Sequence, residues 1–206
     1  MLYSEFFGRR KNTFEASYAH IKANLNPAKP YSILELGTSR SFVSHGYPGC
    51  MNPSQKFWTP GSPEKWDWGA GVFTKVFADN LKGANFSLTT VDPSRAAIDI
   101  VTVMCKDNSE VKIIQDYSTN ILNAMDSKID CLYMDHMESG EEACVKHLED
   151  SKIIVERDLI SENGIILIDD VGDNIRETKG KYSIPYLLQH GFVQVLHEYQ
   201  VLLKKA

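Results

Sequence analysis

The chain has 206 residues, of which 43% are hydrophobic and 24% are charged, and its formal net charge is −5. A chain of this length can bury one hydrophobic core, so we expect a single domain over residues 1–206. The acidic balance argues against nucleic acid as a partner, because proteins that bind nucleic acids concentrate Lys and Arg on one face. Basic residues cluster at 9–11 and 204–205, and we expect these charges to be solvated.

Neither a membrane nor an oxidising compartment is indicated. No stretch approaches the ~20 apolar residues of a membrane span, so we expect no membrane partner. The four cysteines, at positions 50, 105, 131 and 144, lack Cys-x-x-Cys spacing. This usage favours a reducing, intracellular compartment such as the cytoplasm. A longer multidomain protein that contains this domain is equally compatible with the sequence.

The first part of the chain predicts two helices, one strand and a long loop. Apolar residues recur at helical spacing over 14–25, and an apolar run over 32–36 predicts the first strand. Residues 39–68 are rich in Gly, Pro and aromatic residues without a period, so we expect a loop inserted on the substrate side of the domain. Asp67 is a candidate cap for the next helix, whose apolar face covers 73–81.

Three further helices are predicted downstream. One begins at Ser94. A second is long and begins with a capping box formed by Ser139 and Glu142. A third opens at residues 183–185, which end in a proline, and closes at Gly191.

Strands alternate with these helices as far as residue 170, and Asn163-Gly164 predicts a turn before the last strand of that series. Such alternation indicates a parallel sheet with helices on both faces, and the chain then ends in an antiparallel hairpin. We therefore predict an α/β fold with a mostly parallel, seven-stranded sheet. Besides the strand at 32–36, strands are expected at 86–91, 111–115, 129–135, 165–170, 192–197 and 200–203.

Two strand ends carry residues suited to a nucleoside ligand. The first strand ends at Gly37, where a residue without Cβ can turn tightly and let a ligand approach the backbone. The second ends at Asp92, whose carboxylate can accept hydrogen bonds from two ribose hydroxyls. The dinucleotide pattern G-x-G-x-x-G does not match, because Ser39 stands where its second glycine would be.

Glu35 two residues before Gly37, the run Glu-Leu-Gly-Thr-Ser and the later Val-Asp-Pro-Ser together resemble class I methyltransferases that use S-adenosyl-L-methionine. The order of elements over 14–203 is similar to that family as well. The resemblance implies a Rossmann-like fold and S-adenosyl-L-methionine as cofactor. The cofactor-binding residues implied are Glu35, Gly37, Thr38 and Ser39 for the methionine part, Asp92 for the ribose, and Asp116, Tyr117 and Ser118 for the adenine. For Asp116 the residues also leave open a second role, as the cap of the helix that follows.

Three carboxylates, Asp135, Asp169 and Asp170, follow two strands that are neighbours in such a fold. Carboxylates that converge in one cleft repel each other unless a cation or a proton compensates them. The resemblance to catechol-type and sugar-modifying O-methyltransferases implies that these three hold Mg²⁺ or Mn²⁺, which binds the acceptor hydroxyls. A metal-bound hydroxyl is more acidic, and Asp135 or His136 is the candidate catalytic base.

His136 departs from the family pattern. Related sugar and antibiotic enzymes have Asp-Gly-Asp-His after this strand, whereas this chain has Asp-His-Met-Glu. Metal-free base catalysis by His136 or Asp135 therefore stays open, as does a purely structural histidine.

The loop at 39–68 holds all three tryptophans, Trp58, Trp66 and Trp68. Indole faces pack against the C–H face of a pyranose, so the tryptophans are candidate substrate residues, and the alternative is that they anchor the loop. The segment Trp-Asp-Trp-Gly-Ala-Gly resembles carbohydrate-modifying methyltransferases, including units attached to glycosyltransferases of large algal viruses.

The resemblance implies an S-adenosyl-L-methionine-dependent O-methyltransferase whose small-molecule or glycan acceptor presents a sugar hydroxyl. A catechol or phenol O-methyltransferase is the first alternative. The second is a catalytically silent scaffold domain, against which the gathering of unpaired carboxylates argues.

Overall fold

The computed structural model describes residues 1–38, 62–70, 72–172 and 178–206. Ser39, Trp58 and most of the predicted insertion lie outside these residues. The strands are β1 Tyr31–Leu36, β2 Phe86–Val91, β3 Val111–Ile114, β4 Ile129–Met134, β5 Ile160–Ile168, β6 Phe192–His197 and β7 Val201–Lys205. The helices are α1 Lys11–Asn24, α2 Phe73–Asn80, α3 Arg95–Met104, α4 Ser118–Ala124, α5 Glu141–Glu156 and α6 Gly180–Gln189.

The strands form one sheet in the order β3-β2-β1-β4-β5-β7-β6. Strands β1 to β5 are parallel, and β7 pairs antiparallel with both β5 and β6. The predicted fold class, including the final hairpin, is confirmed. The strand order reverses between β1 and β4, and ligands of open α/β sheets bind beyond the carboxyl ends of the strands at such a point.

Helices cover both faces of the sheet, which explains why all but one residue of β1 and of β4 are buried. One core joins Leu34 and Leu132 of the sheet to Ile154 of α5. The other core lies on the opposite face, where Tyr133 packs among Phe14 of α1, Phe73 of α2 and their neighbours. Among the described helices, none is long and apolar enough to span a bilayer.

Two predicted helix caps are wrong because the helices begin elsewhere. The Asp67 carboxylate accepts the Gly69 N–H at 3.0 Å, within a short turn ahead of α2. Helix α5 begins at Glu141 without a side-chain cap, so Ser139 and Glu142 form no capping box. Glu142 lies instead in the first turn, where the helix dipole favours a negative charge. By contrast, the predicted helix start at Ser94 agrees with the structure, in which Ser94 is the N-cap of α3 and its side chain accepts the Ala97 N–H.

Two other predicted boundaries shift because packing outweighs local signals. Helix α6 begins at Gly180 and contains Pro185, so the predicted start at 183–185 is too late. Strand β5 begins at Ile160 and runs through Asn163, which has φ +65°. The register with β4 shifts at this place, so Asn163-Gly164 belongs to a bulge within the strand and not to a turn before it.

Candidate active site

Gly37 brings the end of β1 against the segment that follows β4. Its N–H donates to the Val91 carbonyl at 2.8 Å, and its φ is +88°. A Cβ at this position would lie 2.5 Å from both Cα and N of His136. The sequence predicted a glycine that admits a ligand, but the protein's own backbone already requires one here.

A cavity of about 710 Å³ opens beside Gly37, at the carboxyl ends of the strands. Cavities of this size hold small-molecule ligands and cofactors. Four predicted cofactor residues and His136 line it, together with Met137, for which the sequence carried no signal. The lining includes Gly37, Asp92, Tyr117, Ser118, His136 and Met137.

Asp92 is held in the cavity wall by backbone donors. Its side chain accepts the Ser94 N–H at 2.8 Å and the Thr38 N–H at 3.2 Å, and the residue is 8% exposed. The N–H groups orient the carboxylate where β1 and β2 end side by side. Its role toward a ribose stays a prediction.

Of the three residues predicted to contact the adenine, Tyr117 and Ser118 line the cavity and Asp116 does not. Tyr117 is 61% exposed, and Ser118 is buried. The Asp116 side chain is engaged at the start of α4 instead. It accepts the Tyr117 N–H and the Asn120 side-chain N–H, both at 2.7 Å. Asp116 is not the cap that the sequence left open, because Tyr117 occupies the N-cap position of α4, but these contacts place its carboxylate at the start of α4.

Glu35 lies near the end of β1 and is 1% exposed. The Thr74 hydroxyl donates to its carboxylate. Burial raises the pKa of Glu35 to about 8, although the hydrogen bond from Thr74 opposes this shift. The described contacts of Glu35 are thus within the protein, and its predicted contact with the cofactor's methionine part stays a prediction.

The predicted metal ligands Asp135, Asp169 and Asp170, called here the carboxylate cluster, meet at the ends of β4 and β5. Asp169 is fully buried, and Arg10 Nε lies 2.9 Å from its Oδ2 and 3.2 Å from its Oδ1. The Tyr133 hydroxyl also donates to Oδ2, at 2.6 Å. Arg10 was expected to be solvated, and this expectation is wrong.

Lys179 compensates the other two carboxylates. Its Nζ lies 2.8 Å from Asp135 Oδ1 and 2.8 Å from Asp170 Oδ2, and its side chain is 1% exposed. Burial acts to lower the pKa of Lys179, but the two carboxylates outweigh burial and raise it. Burial and the neighbouring Asp169 raise the pKa of Asp135 to about 7, against the opposing effect of Lys179.

The carboxylate cluster does not fit the predicted Mg²⁺ or Mn²⁺. Its oxygens already accept from Arg10, Lys179 and Tyr133, so little charge is left for an ion to neutralise. No group of three or more His, Cys, Asp or Glu side chains suited to a metal occurs in the described parts of the chain. We therefore correct the metal role and derive no step that uses a metal.

His136 turns its ring away from the carboxylate cluster and toward α5. The ring stacks on His147 with centroids 4.2 Å apart. Its Nε2 lies 3.0 Å from Oδ2 of the fully buried Asp150, without the alignment of a hydrogen bond. Burial lowers the pKa of His147 well below its usual value, and His136 adds to that effect. This packing favours the structural role for His136 among those that the sequence left open.

The two described tryptophans anchor the chain ahead of α2. Trp66 is 2% exposed, and its ring lies 5.0 Å from that of Tyr3. Trp68 stacks on Phe6 at 5.3 Å, and its carbonyl accepts from Arg10 Nη1 at 3.1 Å. The Trp66 face is thus covered by protein, which favours anchoring over acceptor binding.

No family model and no curated protein matches the sequence, whereas solved structures do. An rRNA methylase from Streptococcus thermophilus has a TM-score of 0.55 at 15% identity, over 93% of this chain and 96% of that one. The N-methyltransferase NodS from Bradyrhizobium japonicum WM9, in complex with S-adenosyl-L-homocysteine, has a TM-score of 0.57 at 12% identity, over 97% of this chain and 88% of that one. At these identities the likeness is one of fold. The chain therefore has the Rossmann-like, seven-stranded fold of class I S-adenosyl-L-methionine-dependent methyltransferases.

Proposed function

We propose that this chain is an S-adenosyl-L-methionine-dependent methyltransferase. The observation that carries the proposal is the cavity of about 710 Å³ at the strand-order reversal, with Gly37 and Asp92 in its wall. A carboxylate held by backbone donors beside an open cavity is suited to a ribose. The structure of NodS with S-adenosyl-L-homocysteine supports a nucleoside ligand in this fold.

The ribose role of Asp92 can be tested with Asp92→Ala. We expect it to weaken S-adenosyl-L-homocysteine binding by well over tenfold, because the loss of an acceptor leaves buried hydroxyls unpaired at a cost of roughly 2–3 kcal/mol. Isothermal titration calorimetry measures the affinity, and a thermal melt checks the fold. Asp116→Ala is the control, since that residue faces α4, and it should leave the affinity unchanged. Wild-type affinity in folded Asp92→Ala would contradict the cofactor site.

For the acceptor we propose a hydroxyl of a sugar or glycan, with Asp135 as the base. Asp135 directly precedes His136 of the cavity wall, and its side chain is 15% exposed. Lys179 holds Oδ1, whereas Oδ2 has a long contact of 3.4 Å with the Tyr133 hydroxyl. Oδ2 is therefore the oxygen suited to accept a proton. The preference for a sugar rests on the resemblance of the Trp-Asp-Trp-Gly-Ala-Gly segment to carbohydrate-modifying methyltransferases.

When bound, S-adenosyl-L-methionine would supply a methyl group from a sulfonium sulfur to the acceptor oxygen, and the electron pair of the broken carbon–sulfur bond would stay on sulfur. Asp135 Oδ2 takes the hydroxyl proton, so the products are the methyl ether and S-adenosyl-L-homocysteine. Lys179 keeps the Asp135 carboxylate oriented while its charge changes.

Asp135→Asn tests the proposed base. We expect kcat to fall at least about 100-fold, because an amide cannot take the proton. Binding of S-adenosyl-L-homocysteine should change little, since the described cavity lining does not include Asp135. Asp116→Asn serves as the matched control with near wild-type kcat. A wild-type kcat in Asp135→Asn would exclude Asp135 as the base.

One observation favours the silent scaffold as a second candidate. The sequence argument against it was based on unpaired carboxylates, and these are paired with Arg10 and Lys179. Labelled S-adenosyl-L-methionine with glycosides, catechols, amines and RNA as acceptors separates the candidates. A labelled glycoside supports the proposal, and a labelled catechol supports the phenol-type alternative. Cofactor binding without any labelled product favours the scaffold.

A further inference from the structure

Lys179 lies between two members of the carboxylate cluster, Asp135 and Asp170. It directly precedes α6, and the carbonyl of Thr178 next to it accepts from the Cys144 thiol of α5 at 2.9 Å. The segment is thereby tied to a neighbouring helix. From this position the lysine side chain reaches Asp135 after β4 and Asp170 after β5, and so bridges the ends of two adjacent strands.

The two oxygens that a shared metal ion would need are already held by the Lys179 ammonium. Two carboxylate oxygens, one from each aspartate, lie 2.8 Å from the same ammonium. An Mg²⁺ bound to the same two oxygens at about 2.1 Å would therefore have to share them with this ammonium. Asp170 is further held by the Tyr199 hydroxyl, which donates to its other oxygen. An ion and the Lys179 ammonium would also repel each other.

The third carboxylate is already compensated. Asp169 is fully buried and binds the Arg10 guanidinium through both oxygens. The carboxylate cluster thus has three acidic groups and two cationic ones, each cation within 3 Å of a carboxylate oxygen. Its charge is balanced by the chain itself to within one unit.

We propose that Lys179 is a built-in cation that takes the place of a divalent metal ion between Asp135 and Asp170. Its ammonium joins the two carboxylates and positions Asp135, and the site binds no Mg²⁺ or Mn²⁺ while the lysine is present. The role in catalysis rests on the proposed function, but the exclusion of metal does not. Lys179 is a positioning residue, because it acts through Asp135.

Removing the lysine should therefore create a metal site. Lys179→Ala leaves the two aspartates without their shared counter-ion and vacates the volume of the side chain, so an ion with oxygen preference can enter. We expect wild-type protein to show no stoichiometric Mn²⁺ binding by electron paramagnetic resonance. We also expect its melting temperature to be the same in Mn²⁺ and in EDTA. Lys179→Ala should bind about one Mn²⁺ and melt at least ~3 °C higher in Mn²⁺ than in EDTA.

Lys181→Ala is the matched control. Lys181 lies two residues further on and pairs with the exposed Glu141 at 2.7 Å, so its loss should create no Mn²⁺ site. The double variant Lys179→Ala/Asp135→Asn should lose the binding gained by Lys179→Ala, because one of the two oxygen ligands becomes an amide.

Two results would overturn the proposal. One is stoichiometric Mn²⁺ binding by the wild-type protein that Asp135→Asn abolishes. The other is a folded Lys179→Ala variant without Mn²⁺ binding. If Lys179→Ala does not fold, the Mn²⁺ titration of the wild-type protein alone tests the proposal. Neither measurement uses S-adenosyl-L-methionine or an acceptor, so failure of the proposed methyl transfer would leave the result interpretable.

Discussion

Gly37→Ala is expected to lower the free energy of unfolding by more than about 3 kcal/mol. A left-handed backbone, here φ +88°, costs a residue with Cβ roughly 1–2 kcal/mol. The larger part comes from overlap, because the new Cβ would lie 2.5 Å from the backbone of His136. Backbone atoms cannot rotate away as a flexible side chain can. Urea denaturation measures the loss, and cofactor binding should fall with it, since both segments line the cavity.

Gly83→Ala separates the cost of a left-handed backbone conformation from the cost of steric overlap. Gly83 has φ +83°, nearly the same as Gly37, but a Cβ there would meet no atom within 4 Å. We therefore expect this variant to lose roughly the 1–2 kcal/mol of backbone strain and no more. Similar losses in the two variants would show that a Cβ at residue 37 does not clash with the backbone of His136.

Arg10→Met is expected to lower the free energy of unfolding by about 3–5 kcal/mol. Methionine keeps most of the apolar stem but removes the guanidinium that compensates Asp169. Asp169 is fully buried, and the removal of one partner of a buried ion pair leaves the other charge without its counter-ion. Denaturant titration of wild type and variant at neutral pH measures the difference.

Arg9→Met is the matched control for Arg10→Met. The Arg9 guanidinium is exposed and lies over the Tyr199 ring at 4.0 Å, so a much smaller loss is expected. Adding Asp169→Asn to Arg10→Met should restore part of the stability, because the uncompensated charge is then gone. If the two arginine variants were equally stable, the Arg10–Asp169 pair would not be a structural ion pair.

Much of the fold follows from local patterns. Strands β1, β2 and β4 are short runs with apolar residues on both faces, because helices cover both faces of the sheet, and this composition is visible in the sequence. Gly37 and Asp92 could be identified because each directly follows such a run. Residues at the carboxyl ends of adjacent parallel strands share one edge of the sheet, which is why both line the same cavity.

Helix starts were less predictable because packing decides among several acceptable signals. Pro185 is a typical first-turn residue, yet α6 begins five residues earlier at Gly180. Ile184 and Leu187 are buried in the core, and their packing maintains the helix around the proline.

Only the tertiary structure determines which cations compensate the carboxylate cluster. The sequence shows that three carboxylates at one sheet edge need positive charge, but not where that charge comes from. Arg10 lies 159 residues from Asp169 in the chain, beyond the reach of any local pattern. Lys179 and Lys181 belong to one short segment, yet the side chain of the first is 1% exposed and that of the second is 32% exposed. Which cation reaches the carboxylates depends on how α6 and the N-terminal segment pack against the sheet, and long-range packing of this kind leaves no periodicity in the sequence.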